Sequence, residues 1–73
     1  MTFGKTLREA RERAGMSQDD FGRATGIHRT HISLLERDIR EPRLDTLVRL
    51  SRGLNLTPAE LLEQYVASRT DLQ

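Results

Sequence analysis

The sequence predicts an all-α chain, a compact bundle of five short helices without a sheet. Three observations carry that expectation. Apolar residues recur at three- and four-residue spacing along most of the 73 residues. Helix-start signals stand at Ser17 and Thr57, and Gly15 and Gly26 stand where helices should stop. No stretch alternates apolar and polar residues for long enough to make a strand.

The first helix is expected over about residues 3–14. Phe3, Leu7, Ala10 and Ala14 form its apolar stripe, charged residues fill its other faces, and Gly15 closes it. The second spans residues 18–25. Ser17 is its N-cap, Asp20 can reach back as in a capping box, and Met16 and Phe21 hold the positions of a hydrophobic staple. Gly26 supplies the left-handed residue that ends it. Ile27 is the apolar residue of the turn, and His28 opens a third helix over residues 29–37, with Ile32 and Leu35 facing inward. A loop with Pro42 follows. Leu44, Leu47, Val48, Leu50 and Leu54 define a fourth helix over residues 44–54. Thr57, Pro58 and Glu60 then form a strong start signal for a fifth, over residues 58–67, whose apolar face is Leu61, Leu62, Tyr65 and Val66. Residues 68–73 read as a frayed tail.

Two short helices joined by a glycine turn make a helix-turn-helix unit, whose second helix enters the major groove of DNA. Composition agrees with a small polar-skinned domain, taken as one unit over residues 1–73. Hydrophobic residues make up 36% and charged residues 32%, so a modest core must carry the fold. Cysteine is absent, which excludes disulfides and cysteine zinc sites. Residues 1–14 carry charges every few positions instead of an apolar leader, and no apolar run approaches the roughly 20 residues that cross a bilayer. A soluble cytoplasmic protein without a membrane partner is expected.

The net charge of +1 is weak support for a nucleic-acid partner by itself, and the distribution says more. Arg29, Arg37, Arg40 and Arg43 gather in the third helix and the loop after it, whereas Glu60, Glu63 and Asp71 lie late in the chain. His28 and His31 make half a zinc site at best, so no metal is expected. Nothing matches a nucleophile elbow, a phosphate loop or a metal box, which argues against an enzyme. No cofactor and no small-molecule effector are implied.

The pattern LREARERAGMSQDDFGRATGIHRTHISLLER…EPRLDTLVRLSRGLNLTPAELL resembles the Cro and phage-repressor (XRE) type of helix-turn-helix domain, a lambda-repressor-like fold, over about residues 7–66. Within that family, HRTHISLLER is similar to the recognition helix of restriction–modification controller proteins. The resemblance implies a sequence-specific transcription regulator that binds a palindromic operator as a homodimer. RNA polymerase is a further partner it admits. An antitoxin-type interaction module with autoregulatory DNA binding is the alternative. The family also implies an inward ion pair between Arg11 and Glu36. Asp38 stands where the family usually has Gly or Asn, and Arg43 where a Ser or Thr commonly caps the fourth helix.

The chemistry of base readout gives each outward residue an expected role. The planar fork of Arg29 suits guanine O6 and N7, and Thr30 and Ser33 offer hydroxyls to base edges. Leu34 lies against a thymine methyl or against the protein. Ser17 and Gln18, at a helix start, are placed for a phosphate. His31, Arg37, Arg40 and Arg43 are expected on the flanking backbone, where they position the duplex without reading it. Leu56, Leu62, Tyr65 and Val66 are the candidate dimer interface.

Overall fold

The computed structural model describes residues 2–69. Five helices follow in order: α1 (Phe3–Arg13), α2 (Gln18–Thr25), α3 (Arg29–Glu36), α4 (Leu44–Gly53) and α5 (Pro58–Ala67). There is no strand among the described residues. Three helices stop one residue before the expected end, because Ala14, Arg37 and Leu54 are their C-caps.

The start signals act as their chemistry requires. Ser17 Oγ accepts from the Asp20 N–H at 3.0 Å, and Asp20 Oδ2 accepts from the Ser17 N–H at 3.1 Å. Thr57 and Glu60 repeat the arrangement at α5, at 3.1 and 2.8 Å. Both boxes satisfy backbone donors that a helix start leaves without partners. Arg43, by contrast, caps α4 with no side-chain hydrogen bond.

The core is one cluster in which Leu7, Phe21, Ile32, Leu35, Leu50 and Leu61 are fully buried. Burial of each such side chain contributes roughly 1.5–3 kcal/mol. α1 packs on α3 and α5, α2 on α3 and α4, and α4 on α5. Helix α3 is therefore clamped by α1 and α2, and its remaining face is left to solvent.

Two expected core residues lie outside the core. Ala14 is exposed, since Gly15 at φ +72° turns the chain away just after it. Leu44 is 82% exposed. It is the first residue of α4, where the side chain tilts back past the helix start instead of over the bundle.

Asp38 takes the left-handed conformation, with φ +61°. The strain has a local compensation: Asp38 Oδ1 accepts from the Gly4 N–H at 2.9 Å and so caps the start of α1. The expected tail is also partly structured. Ser68 Oγ donates to the Tyr65 carbonyl at 2.7 Å and lies 3.1 Å from Thr6 Oγ1. Arg69 stacks 5.4 Å from the Tyr65 ring centre and hydrogen-bonds its hydroxyl. The rest of that tail, including Asp71, lies outside the described residues. No helix among the described residues is long and apolar enough to cross a membrane.

Candidate nucleic-acid interface

The turn between α2 and α3 is held by three small residues. Gly26, at φ +72°, ends α2 with its N–H on the Gly22 carbonyl. A Cβ at Gly22 would lie 2.8 Å from the Ile27 carbonyl oxygen, so only glycine lets the turn fold back this tightly. Thr25 is buried, donates to the Phe21 carbonyl at 2.8 Å and accepts from the Ile27 N–H at 3.2 Å. Ile27 is buried below the turn. His28 is the N-cap of α3, its Nδ1 accepting from the Thr30 N–H at 3.1 Å.

Pinned in this way, α3 starts in solvent. Arg29 and Thr30 are exposed, whereas Ser33, Leu34 and His31 are half-buried. The Arg29 guanidinium is 65% exposed and meets Asp19 of α2, with Nη1 at 3.2 Å from Oδ2 and 3.4 Å from Oδ1. Asp19 was not foreseen as a partner, because ten residues and a turn separate the two.

The inner end of α3 carries a second charge centre. Glu36 has a side chain only 1% exposed. Arg11 grips it from α1 through two nitrogens, Nε to Oε2 at 2.6 Å and Nη2 to Oε1 at 3.0 Å. Arg11 Nη1 also donates to the Met16 carbonyl at 2.8 Å. Gln18 Nε2 donates to Glu36 Oε1 at 3.1 Å, and Arg8 lies 3.7 Å from the same oxygen. The hydrogen bond to Glu36, more than burial, sets the Arg11 guanidinium, raising its pKa above the ordinary arginine value. One carboxylate thus joins α1, α2 and α3. Gln18 spends only one of its two amide hydrogens on it.

The expected backbone contacts are not on one surface. His31 and Arg43 line a groove between the turn and α4, together with Asp45, Thr46 and Arg49. Arg49 was missed by sequence reasoning, because only the way α4 lies against the turn brings it beside His31. Arg40 lines a different groove, beside Pro42, Leu62 and Tyr65. Arg37 is exposed at the end of α3, its Nε 3.4 Å from the Ser33 carbonyl. Ser17 is exposed, with both its hydroxyl oxygen and its N–H engaged by Asp20. The first turn of α2 also carries Asp19 and Asp20, which lower its attraction for an anion.

The four candidate interface residues divide as well. Leu56 is half-buried and packs on the core. Tyr65 is half-buried, edge-on to Phe3 with ring centres 5.6 Å apart. Leu62 and Val66, one turn apart, are 41% and 54% exposed. Tyr65, expected in an exposed strip, is instead half-buried against Phe3, so Leu62 and Val66 carry the exposed apolar surface.

Comparison with known proteins agrees with this geometry. The family described as helix-turn-helix matches residues 7–61. The transcriptional regulator ImmR of Bacillus subtilis is 39% identical over 99% of this chain, which spans only 59% of that regulator's length. The control protein C.BamHI of Bacillus amyloliquefaciens is 34% identical, over 86% of this chain and 79% of its own. Among solved structures, the P22 c2 repressor in complex with a synthetic operator superposes with a TM-score of 0.77 at 30% identity. That match covers 88% of this chain and 97% of the repressor chain.

Proposed function

This chain belongs to the helix-turn-helix family, and from that premise we propose that it is a sequence-specific transcription regulator that binds a palindromic operator as a homodimer. Its similarity to a control protein supports a restriction–modification controller as the narrower role. One observation carries the reading: the first turn of α3 stands in solvent with Arg29 and Thr30 outward, while the rest of the helix is locked by the core and Glu36.

In this reading α3 lies in the major groove. Arg29 reads a guanine through paired donors, and Thr30 meets the neighbouring base edge. Ser33 and Leu34, half-buried behind them, complete the surface facing the bases. Gln18, oriented by Glu36, offers its second amide hydrogen to a phosphate. His31, Arg43 and Arg49 hold the backbone on the other side of the turn. Leu62 and Val66 supply an apolar strip for a second copy, so that paired helices reach grooves about 34 Å apart.

Selection of duplexes from a random pool, followed by a salt titration of the winner, tests the proposal. A half-site repeated about a twofold axis should emerge. Its affinity should exceed that for random duplex by at least about a thousandfold and should fall steeply with salt. A chain that retains all duplexes alike would overturn the function. A single half-site bound by a monomer would overturn the dimer alone, and a dimer that Leu62→Ala leaves unchanged in sedimentation would move the interface elsewhere.

A further inference from the structure

We infer that Asp19 is a positioning residue for base readout, holding the Arg29 guanidinium in its reading orientation and turning plain phosphates away from it. The inference rests on the DNA-reading function proposed above and goes one step inside it.

The geometry is particular. Asp19 engages Arg29 only through Nη1, at 3.2 and 3.4 Å. A guanidinium has five N–H donors in a fixed plane, so Nη2 and Nε remain as a parallel pair. That pair is one of the two guanidinium edges able to meet guanine O6 and N7 together, and the one Asp19 leaves clear. The carboxylate therefore restrains the plane of the fork without consuming the donors that read. Both side chains are more than half exposed, at 65% and 52%, so the contact does nothing for the core.

A second consequence follows from charge. An unpaired arginine at the tip of α3 would be drawn to any phosphate, which adds affinity without selectivity. Beside Asp19 its charge is largely balanced, and the carboxylate repels a phosphate that approaches the same nitrogen. A guanine edge, which presents neutral acceptors, meets no such repulsion. The pair thereby favours a base over the backbone.

The experiment measures affinity by fluorescence anisotropy for the selected operator, for the same operator with 7-deazaguanine at the guanine contacted by Arg29, and for a random duplex. The replacement exchanges the N7 acceptor for a C–H and leaves O6 in place. The unaltered protein should lose about tenfold on the replaced operator, the size of one good base contact. Asp19→Asn should lose about threefold or less and should bind random duplex several-fold more tightly. Asp19→Glu, which keeps the charge, should restore part of the discrimination. In an Arg29→Ala background, Asp19→Asn should no longer change the 7-deazaguanine effect.

A selective protein whose Asp19→Asn variant keeps the full tenfold penalty would overturn this inference and leave the function standing. A protein indifferent to all three duplexes would overturn both.

Discussion

Two arginine–carboxylate pairs bracket α3, and they join the same chemical groups to opposite ends. At the inner end, Arg11 and Glu36 are 11% and 1% exposed and share two hydrogen bonds, one of 2.6 Å. At the outer end, Arg29 and Asp19 are 65% and 52% exposed and meet through one nitrogen at 3.2 Å. Water screens the outer pair, so opening it costs little. The inner pair has left water, and each charge now depends on the other for solvation. Burial, more than pairing, separates the arginine that builds the fold from the arginine whose remaining donors stay open to a base.

The sharpest way to break that contrast is to strand one buried charge. Glu36→Ala should destabilise the fold by about 3–5 kcal/mol, since it leaves Arg11 without its partner. For a chain of this size that is a large part of a total of about 5–15 kcal/mol. Urea denaturation followed by circular dichroism reads the loss. Replacing both members by apolar residues, Arg11→Met with Glu36→Leu, should recover most of it, because the desolvation cost disappears with both charges. A single mutant within about 1 kcal/mol of the parent would show that the inner pair resembles the outer one after all.

The outer pair predicts the reverse pattern. Arg29→Ala should move stability by less than about 1 kcal/mol, yet weaken discrimination at one operator position by about 1–3 kcal/mol. Arg43→Ala should instead weaken binding to all sequences evenly and reduce the salt slope by about one. Titrations of operator and single-base variants at several salt concentrations separate the two. Loss of affinity without loss of discrimination in Arg29→Ala would move the reading role elsewhere on α3.

The contrast also marks how far the sequence could be read. Features that live within one turn of chain were legible: the boxes at Ser17 and Thr57 and the left-handed Gly26. Each depends on residues three or four apart, and the chain itself holds them there. Contacts made by the fold were not legible from spacing. Asp19 meets Arg29 only because Gly22 lets the turn close tightly. Asp38 caps α1 from 34 residues away, and Arg49 joins the groove of His31 because of how α4 lies against the turn. Leu44 follows the helical period and yet stands in water, since periodicity gives a direction and not the edge of the core. Arg11 with Glu36 was expected through family resemblance, not through spacing, and the geometry places them together.

The smallest effect sharpens the comparison within a single residue. Asp20 accepts from Ser17 in the capping box and also pairs with Arg23, its Oδ1 2.7 Å from Nη2. Its pKa lies below the ordinary aspartate value of 3.8, chiefly because the backbone N–H of Ser17, and then its hydroxyl, favour the charged form; Arg23 contributes less. A carboxyl group whose folded value is depressed stabilises the fold above the unfolded value and loses that contribution as pH falls through the folded one. The advantage of the parent over Asp20→Asn should therefore be constant near neutrality and shrink as the pH drops below 3.8. Arg23→Gln should leave this acid dependence nearly intact, because the cap and not the exposed ion pair sets it. Thermal unfolding from neutral pH down to about pH 2.5 measures both variants. If Arg23→Gln abolished the acid dependence as fully as Asp20→Asn, an exposed pair would be holding a charge here that the backbone should hold, and the distinction drawn from α3 would not extend to α2.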